Sequence, residues 1–140
     1  MQLEHQIANF LNQPSDINDK LFAVVGASTD RNKYGNKVLR VFQQNNFNVV
    51  PVNPNATTVE GLAAIASISD LPKPPHAISI ITPPRVTENV VEEAILLGVQ
   101  HIWMQPGVDS QIAVSQCKDA GINLIYGGPC ILVVLGFRDR

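Results

Sequence analysis

This 140-residue chain is poor in charge and in cysteine, and each shortage closes off a class of function. Charged residues make up 16% of it, and 10 basic against 12 acidic side chains leave a net charge of -2, with no basic stripe of the kind a nucleic-acid backbone requires. Any anion has to be held locally. The two cysteines, Cys117 and Cys130, are too few for a disulfide framework and are expected to be reduced. The three histidines, His5, His76 and His101, lack metal-ligand spacing, and no paired carboxylates fall on the loops that follow the strands, so neither a metal site nor a catalytic set is expected. No segment approaches the length needed to cross a bilayer, and Met1-Gln2-Leu3-Glu4-His5-Gln6 lacks a charged stretch followed by an apolar one. A cytoplasmic protein without membrane contact is expected. Repeats, linkers and low-complexity segments are also missing, although Pro72-Lys73-Pro74-Pro75 reads as a local rigid turn.

What is present is apolar and periodic. A hydrophobic content of 45% over residues 1–140 suits one domain with a single core. Leu3, Ile7, Phe10 and Leu11 recur at helical spacing before Pro14-Ser15-Asp16. From Leu21 onward apolar runs alternate with amphipathic stretches. Strands are expected at 21–26, 47–52, 77–81, 100–104 and 123–126. Helices are expected at 35–46, 86–97 and 110–120, with a looser region at 59–65. Gly98 and Gly121 mark two of the helix ends, and Asp109-Ser110 reads as a helix cap. Such alternation predicts a doubly wound, Rossmann-like α/β fold: a mainly parallel five-stranded sheet with helices on both faces, binding its ligand at the carboxyl edge. The apolar run 131–137 either completes the core or forms a dimer contact.

The loop after the first strand carries the chemistry. Leu21-Phe22-Ala23-Val24-Val25 runs into Gly26-Ala27-Ser28-Thr29-Asp30-Arg31-Asn32-Lys33-Tyr34-Gly35 and then a helical pattern, an arrangement that offers unpaired N–H groups and a positive dipole end to a phosphate. Arg31 and Lys33 are candidate cationic contacts. A dinucleotide fingerprint requires Gly-x-Gly-x-x-Gly and an acid after the second strand. Here Ala27 and Ser28 replace the middle glycine, Asn53-Pro54 follows the strand, and Glu60 lies too far along. A nicotinamide cofactor is therefore the less favoured ligand.

Four further loops follow strands: Asn53-Pro54, Thr82-Pro83-Pro84, Gln105-Pro106-Gly107 and Gly127-Gly128-Pro129-Cys130. All five converge on one rim if the topology holds, forming a neutral hydrogen-bonding cleft. Thr82-Pro83-Pro84 would be a rigid wall with one hydroxyl, and equally a helix start. Cys130 is either a small buried apolar residue or a thiol facing the ligand. Trp103 reads as core, and Glu92 and Glu93 as solvated charge.

This set of motifs resembles the CoA-binding domain family, the module of the succinyl-CoA synthetase α subunit and of small stand-alone proteins of the YccU type. The pieces that carry the likeness are Val24-Val25-Gly26-Ala27-Ser28 with Lys33-Tyr34-Gly35, Pro51-Val52-Asn53-Pro54, Ile80-Ile81-Thr82-Pro83-Pro84, Ile102-Trp103-Met104-Gln105-Pro106-Gly107 and Gly127-Gly128-Pro129-Cys130. The resemblance implies coenzyme A over the carboxyl edge. By motif position Gly26, Ala27 and Ser28 match its phosphate loop, Lys33 and Tyr34 the far end of that loop, Asn53 and Pro54 a second contact, and Thr82, Pro83 and Pro84 a third. The synthetase subunit adds a domain with a phosphorylated histidine. No histidine here lies in a glycine-flanked loop of that kind, so the synthetase reaction is not expected to transfer. The expected protein binds coenzyme A or an acyl-CoA without catalysis of its own. The alternatives are a transferase or ligase component working with a partner chain, and an NAD(P)-binding redox module.

Overall fold

The computed structural model describes residues 2–12 and 20–140; the punctuation read at Pro14-Ser15-Asp16 lies outside them. Its centre is a sheet of five parallel strands, β1 (Phe22–Val25), β2 (Val49–Val52), β5 (Ala77–Ile80), β6 (His101–Met104) and β7 (Asn123–Ile125), in the order β2-β1-β5-β6-β7. A parallel sheet is covered on both faces, which is why β1 reads as a continuous apolar run, β5 as one broken only by Ser79, and both are buried at every position. Successive side chains still point to opposite sides. Phe22 and Val24 enter one core cluster, while Ala23 and Val25 enter the other.

Helices α1 (Gln2–Leu11), α2 (Tyr34–Gln44) and α5 (Ile131–Val134) cover the first face, and α3 (Pro84–Leu97) and α4 (Gln111–Asp119) the second. Within α2, Val38, Leu39, Val41 and Phe42 recur at three- and four-residue intervals and are fully buried. Burying each such side chain is worth roughly 1.5–3 kcal/mol. Phe10 of α1 meets Trp103 edge-on at a centroid distance of 5.3 Å, and the indole N–H donates to the Pro129 carbonyl at 3.0 Å. Trp103 is thus core, as its strand context implied.

The looser region resolves into a hairpin of β3 (Thr58–Val59) and β4 (Leu62–Ala63), turned at Glu60-Gly61 with φ of 49° and 80°. Two left-handed residues make the tight turn whose twist matches a hairpin. The chain after this hairpin returns along β2: the Ile65 N–H donates to the Pro51 carbonyl at 3.1 Å, and the Asn53 N–H donates to the Ile65 carbonyl at 2.8 Å. The apolar run 131–137 divides. Ile131 is buried, whereas Val133 is 80% exposed.

Between β1 and its neighbour β5 the winding of the sheet reverses, and in open α/β sheets ligands bind above the carboxyl ends at such a point. Two glycines shape that point. Gly26 has φ of 97°, and a Cβ there would lie 2.0 Å from the Ile81 carbonyl oxygen; at Gly35 a Cβ would lie 2.0 Å from the Gly26 carbonyl oxygen. Loop, strand and helix therefore touch backbone to backbone.

Candidate functional site

The loops after β1, β2 and β5 enclose a cavity of about 720 Å³ directly over the switch point. That falls within the ~300–1,000 Å³ usual for small-molecule sites. Gly26, Ala27, Ser28, Lys33 and Tyr34 line one end. Asn53 and Pro54 line a second wall, and Thr82 and Pro83 a third. Nine of the residues singled out from the sequence are thereby brought to one space.

The first loop is held by short-range hydrogen bonds. Ser28 Oγ accepts from the Asp30 N–H at 3.0 Å, and Asp30 Oδ1 accepts from the Asn32 N–H at 2.9 Å. These turns leave the start of α2 open: its cap position, Lys33, makes no side-chain hydrogen bond to the helix. The free N–H groups and dipole of that end, with the Lys33 ammonium beside them, suit an anion. Asn53 ties the second loop to the first by donating its amide to the Ala27 carbonyl at 2.8 Å, while its oxygen accepts from the Asn55 N–H at 2.7 Å.

Arg31 faces elsewhere. Its guanidinium donates to Glu60 and to the main-chain oxygen of Arg140, and it does not line the cavity. Glu60, which sequence spacing set aside, is drawn to the loop by the hairpin turn. There Asn36 Nδ2 bridges the Ser28 carbonyl at 2.8 Å and Glu60 Oε2 at 3.1 Å. The Asn36 hydrogen bond, with the nearby Arg31, holds the Glu60 carboxyl below the usual carboxylate range. Arg40, buried in α2, continues the network to Asn36 Oδ1 at 2.7 Å, the Arg31 carbonyl at 2.8 Å and Asp139 at 3.0 Å.

Thr82 offers less than its sequence suggested, because its hydroxyl is 2.8 Å from that of the buried Thr87. Pro84 begins α3, the helix-start alternative, and lies outside the cavity lining, as does Gly35. Gln105, Gly107 and Cys130 also lie outside it, because the loops after β6 and β7 stand further along the rim. Gln105 is wholly buried: its amide donates to Ser79 Oγ at 3.0 Å, and its oxygen accepts from the Ile131 N–H at 3.0 Å and the Tyr34 hydroxyl at 3.2 Å. Cys130 Sγ lies 2.7 Å from the same hydroxyl. Burial, and then Cys130, push the Tyr34 phenol up from its ordinary value. Cys117 is buried in α4, and burial raises its thiol to about 11. Among the described residues no group of three His, Cys, Asp or Glu side chains is placed to hold a metal.

Glu93 corrects the sequence reading. It is half-buried and lines the cavity, where it accepts from Ser67 and Ser69. Solvated charge describes Glu92, which is exposed.

A family model described as a CoA binding domain matches residues 20–136. This chain belongs to the CoA-binding domain family. Its fold is also that of a conserved hypothetical protein of Pyrococcus furiosus, 37% identical, with a TM-score of 0.77 over 82% of this chain and 98% of that one. The "dinucleotide forming Acetyl-coenzyme A synthetase 1" of Ca. Korarchaeum cryptofilum is 25% identical, with a TM-score of 0.68 over 84% of this chain and 27% of that one. An uncharacterized protein of Bacillus subtilis, YneT, is 24% identical over 106 residues, 76% of this chain and 78% of its own length. No helix among the described residues of this family member is long and apolar enough to cross a membrane.

Proposed function

We propose that this chain binds coenzyme A or an acyl-CoA over the carboxyl edge of its sheet, as a cytoplasmic single-domain carrier, sensor or regulator without catalysis of its own. The observation that carries the reading is the cavity at the strand-order reversal, with an open α2 N-terminus and Lys33 at one end. Coenzyme A is highly anionic at one end and amide-bearing along a nearly apolar arm. A cavity with donors and a cation beside Gly26–Ser28, and with Pro54, Pro83, Val86 and Val90 along its other walls, fits both parts. In this reading the first loop takes phosphate oxygens, with the Ser28 hydroxyl and Lys33 as contacts. Pro54 and Pro83 flank the arm. Arg31, Gly35, Pro84, Gln105, Gly107 and Cys130 shape the site from behind.

A second reading is favoured by the likeness to an acetyl-coenzyme A synthetase of which this chain spans 27%. There the protein is the coenzyme A-binding component of an assembly whose catalytic groups come from a partner chain.

Calorimetric titration of ligand-stripped protein with coenzyme A, followed by NAD and ATP as competitors, tests the proposal. Micromolar coenzyme A binding that disappears in Ser28→Glu is expected. Heat with NAD or ATP and none with coenzyme A overturns it. Thioester turnover only on addition of a partner chain would favour the second reading.

A further inference from the structure

We propose that Glu93 reads an uncharged, N–H-bearing part of the ligand, so that the cavity has a polarity, with anionic groups at the first loop and donor groups at α3. The inference rests on the coenzyme A reading above. Glu93 lines the same space as Ser28 and Lys33. One of its oxygens, Oε2, accepts from both Ser67 Oγ and Ser69 Oγ, the latter at 2.6 Å. Ser67 is itself fixed, since its oxygen also accepts from the Ser69 N–H at 3.1 Å and its N–H donates to Asp70 at 3.2 Å, which closes the cap of the short turn Ile68–Asp70. The carboxylate is thus anchored through one oxygen, while Oε1 has no hydrogen-bond partner among the described residues.

An ionised carboxylate accepts hydrogen bonds and donates none. Set rigidly among Val86, Val90 and Ile68, it favours a donor and repels a phosphate. The anions of the ligand are thereby directed to the opposite end, where Lys33 and the α2 N-terminus lie. Coenzyme A carries N–H donors in two places, the exocyclic amine of its adenine and the two amides of its pantetheine arm. The shared chemistry is a neutral N–H, and two ligands separate its sources.

The test titrates wild-type protein and Glu93→Gln with coenzyme A, with adenosine 3′,5′-bisphosphate, which lacks the pantetheine arm, and with the ethenoadenine analogue of coenzyme A, which lacks the amine donors. Glutamine keeps an oxygen for the serines but can turn an N–H group toward the ligand. Coenzyme A affinity should fall about tenfold in Glu93→Gln, as expected for loss of a hydrogen bond to a charged group. If bisphosphate binding is unaffected by the substitution, the amides are the donors. If it falls equally, and wild-type protein disfavours the etheno analogue, the amine is. Should Glu93→Gln fail to fold, Glu93→Ala takes its place with the same expected fall, and coenzyme A binding to Glu93→Ala that matches the wild type overturns the inference. Coenzyme A binding that is unchanged or tighter in Glu93→Gln also overturns it while leaving the function intact. No binding of coenzyme A to the wild type overturns the function itself.

Discussion

Gly35, in the first turn of α2, lies so close to Gly26 that an added Cβ would sit 2.0 Å from the Gly26 carbonyl oxygen. That carbonyl belongs to the loop lining the cavity and has no flexible side-chain end that could move aside. Gly35→Ala must therefore push α2 away from the loop, at an expected cost of about 1–3 kcal/mol. Chemical denaturation should report that loss. A variant as stable as the wild type would show that helix and loop are not in contact.

Gln105 joins Ser79 of β5, the first N–H of α5 and Tyr34 of α2 through one buried amide. Gln105→Ala strands a serine hydroxyl and a backbone N–H in the interior, each costing about 1–3 kcal/mol when left unpaired. A loss at the upper end of that range is expected, with Gln105→Glu faring little better because it cannot donate to Ser79 when ionised. Urea midpoints for the two variants check this, and a change below experimental error in Gln105→Ala would count against the network.

Glu60 neutralises Arg31 one amide away from Ser28. Glu60→Gln leaves Arg31, itself a residue of the first loop, without its counter-charge, and the field of such a charge reaches ~8–10 Å at ordinary ionic strength. Binding of coenzyme A should tighten several-fold at low salt and lose that gain as salt rises. Affinity that is identical in both proteins at every salt concentration would refute the coupling.

His76 and His101 stack at the amino edge of the sheet with ring centroids 4.6 Å apart. Burial, then the neighbouring His76, then Lys20 lower His101 to about 4, and burial followed by Lys20 also lowers His76. A histidine whose folded value lies below its unfolded value, about 6.5, takes up its proton more readily in the unfolded chain. Its contribution to stability is complete above about pH 6.5 and is lost as pH falls toward 4. The melting temperature should decline across that window, and the slope should be shallower in His101→Gln. Equal slopes would remove His101 from the account.

The strands and major helices were legible because a covered parallel sheet imposes long apolar runs and its crossing helices a three-to-four-residue rhythm. The first loop was legible too, since Gly26, Ser28 and Lys33 sit where a strand hands over to a helix. Other residues depended on contacts that no local pattern encodes. A glutamine after a strand looks like an exposed donor, and only Ser79 and Ile131, each 26 positions away, make Gln105 an interior hub. Arg31 looked like an anion contact until the hairpin turn, with Glu60 in a left-handed conformation unusual for that residue type, brought a carboxylate to it. Glu93 lies on a helix with charge at neighbouring positions, and its place in the cavity wall, bonded to Ser67 and Ser69, appears only when the turn at Ser67 is folded against α3.

The return of the chain past Ile65 along β2 also bears on aggregation. β2 ends the sheet, and an end strand with bare N–H and carbonyl groups is a template for strands of other molecules. Here the Pro51 carbonyl is already taken by the Ile65 N–H, and Pro51 itself has no N–H to donate. The β2 border of the sheet is thus shielded by the protein's own returning segment, which denies intermolecular strand pairing a starting point there.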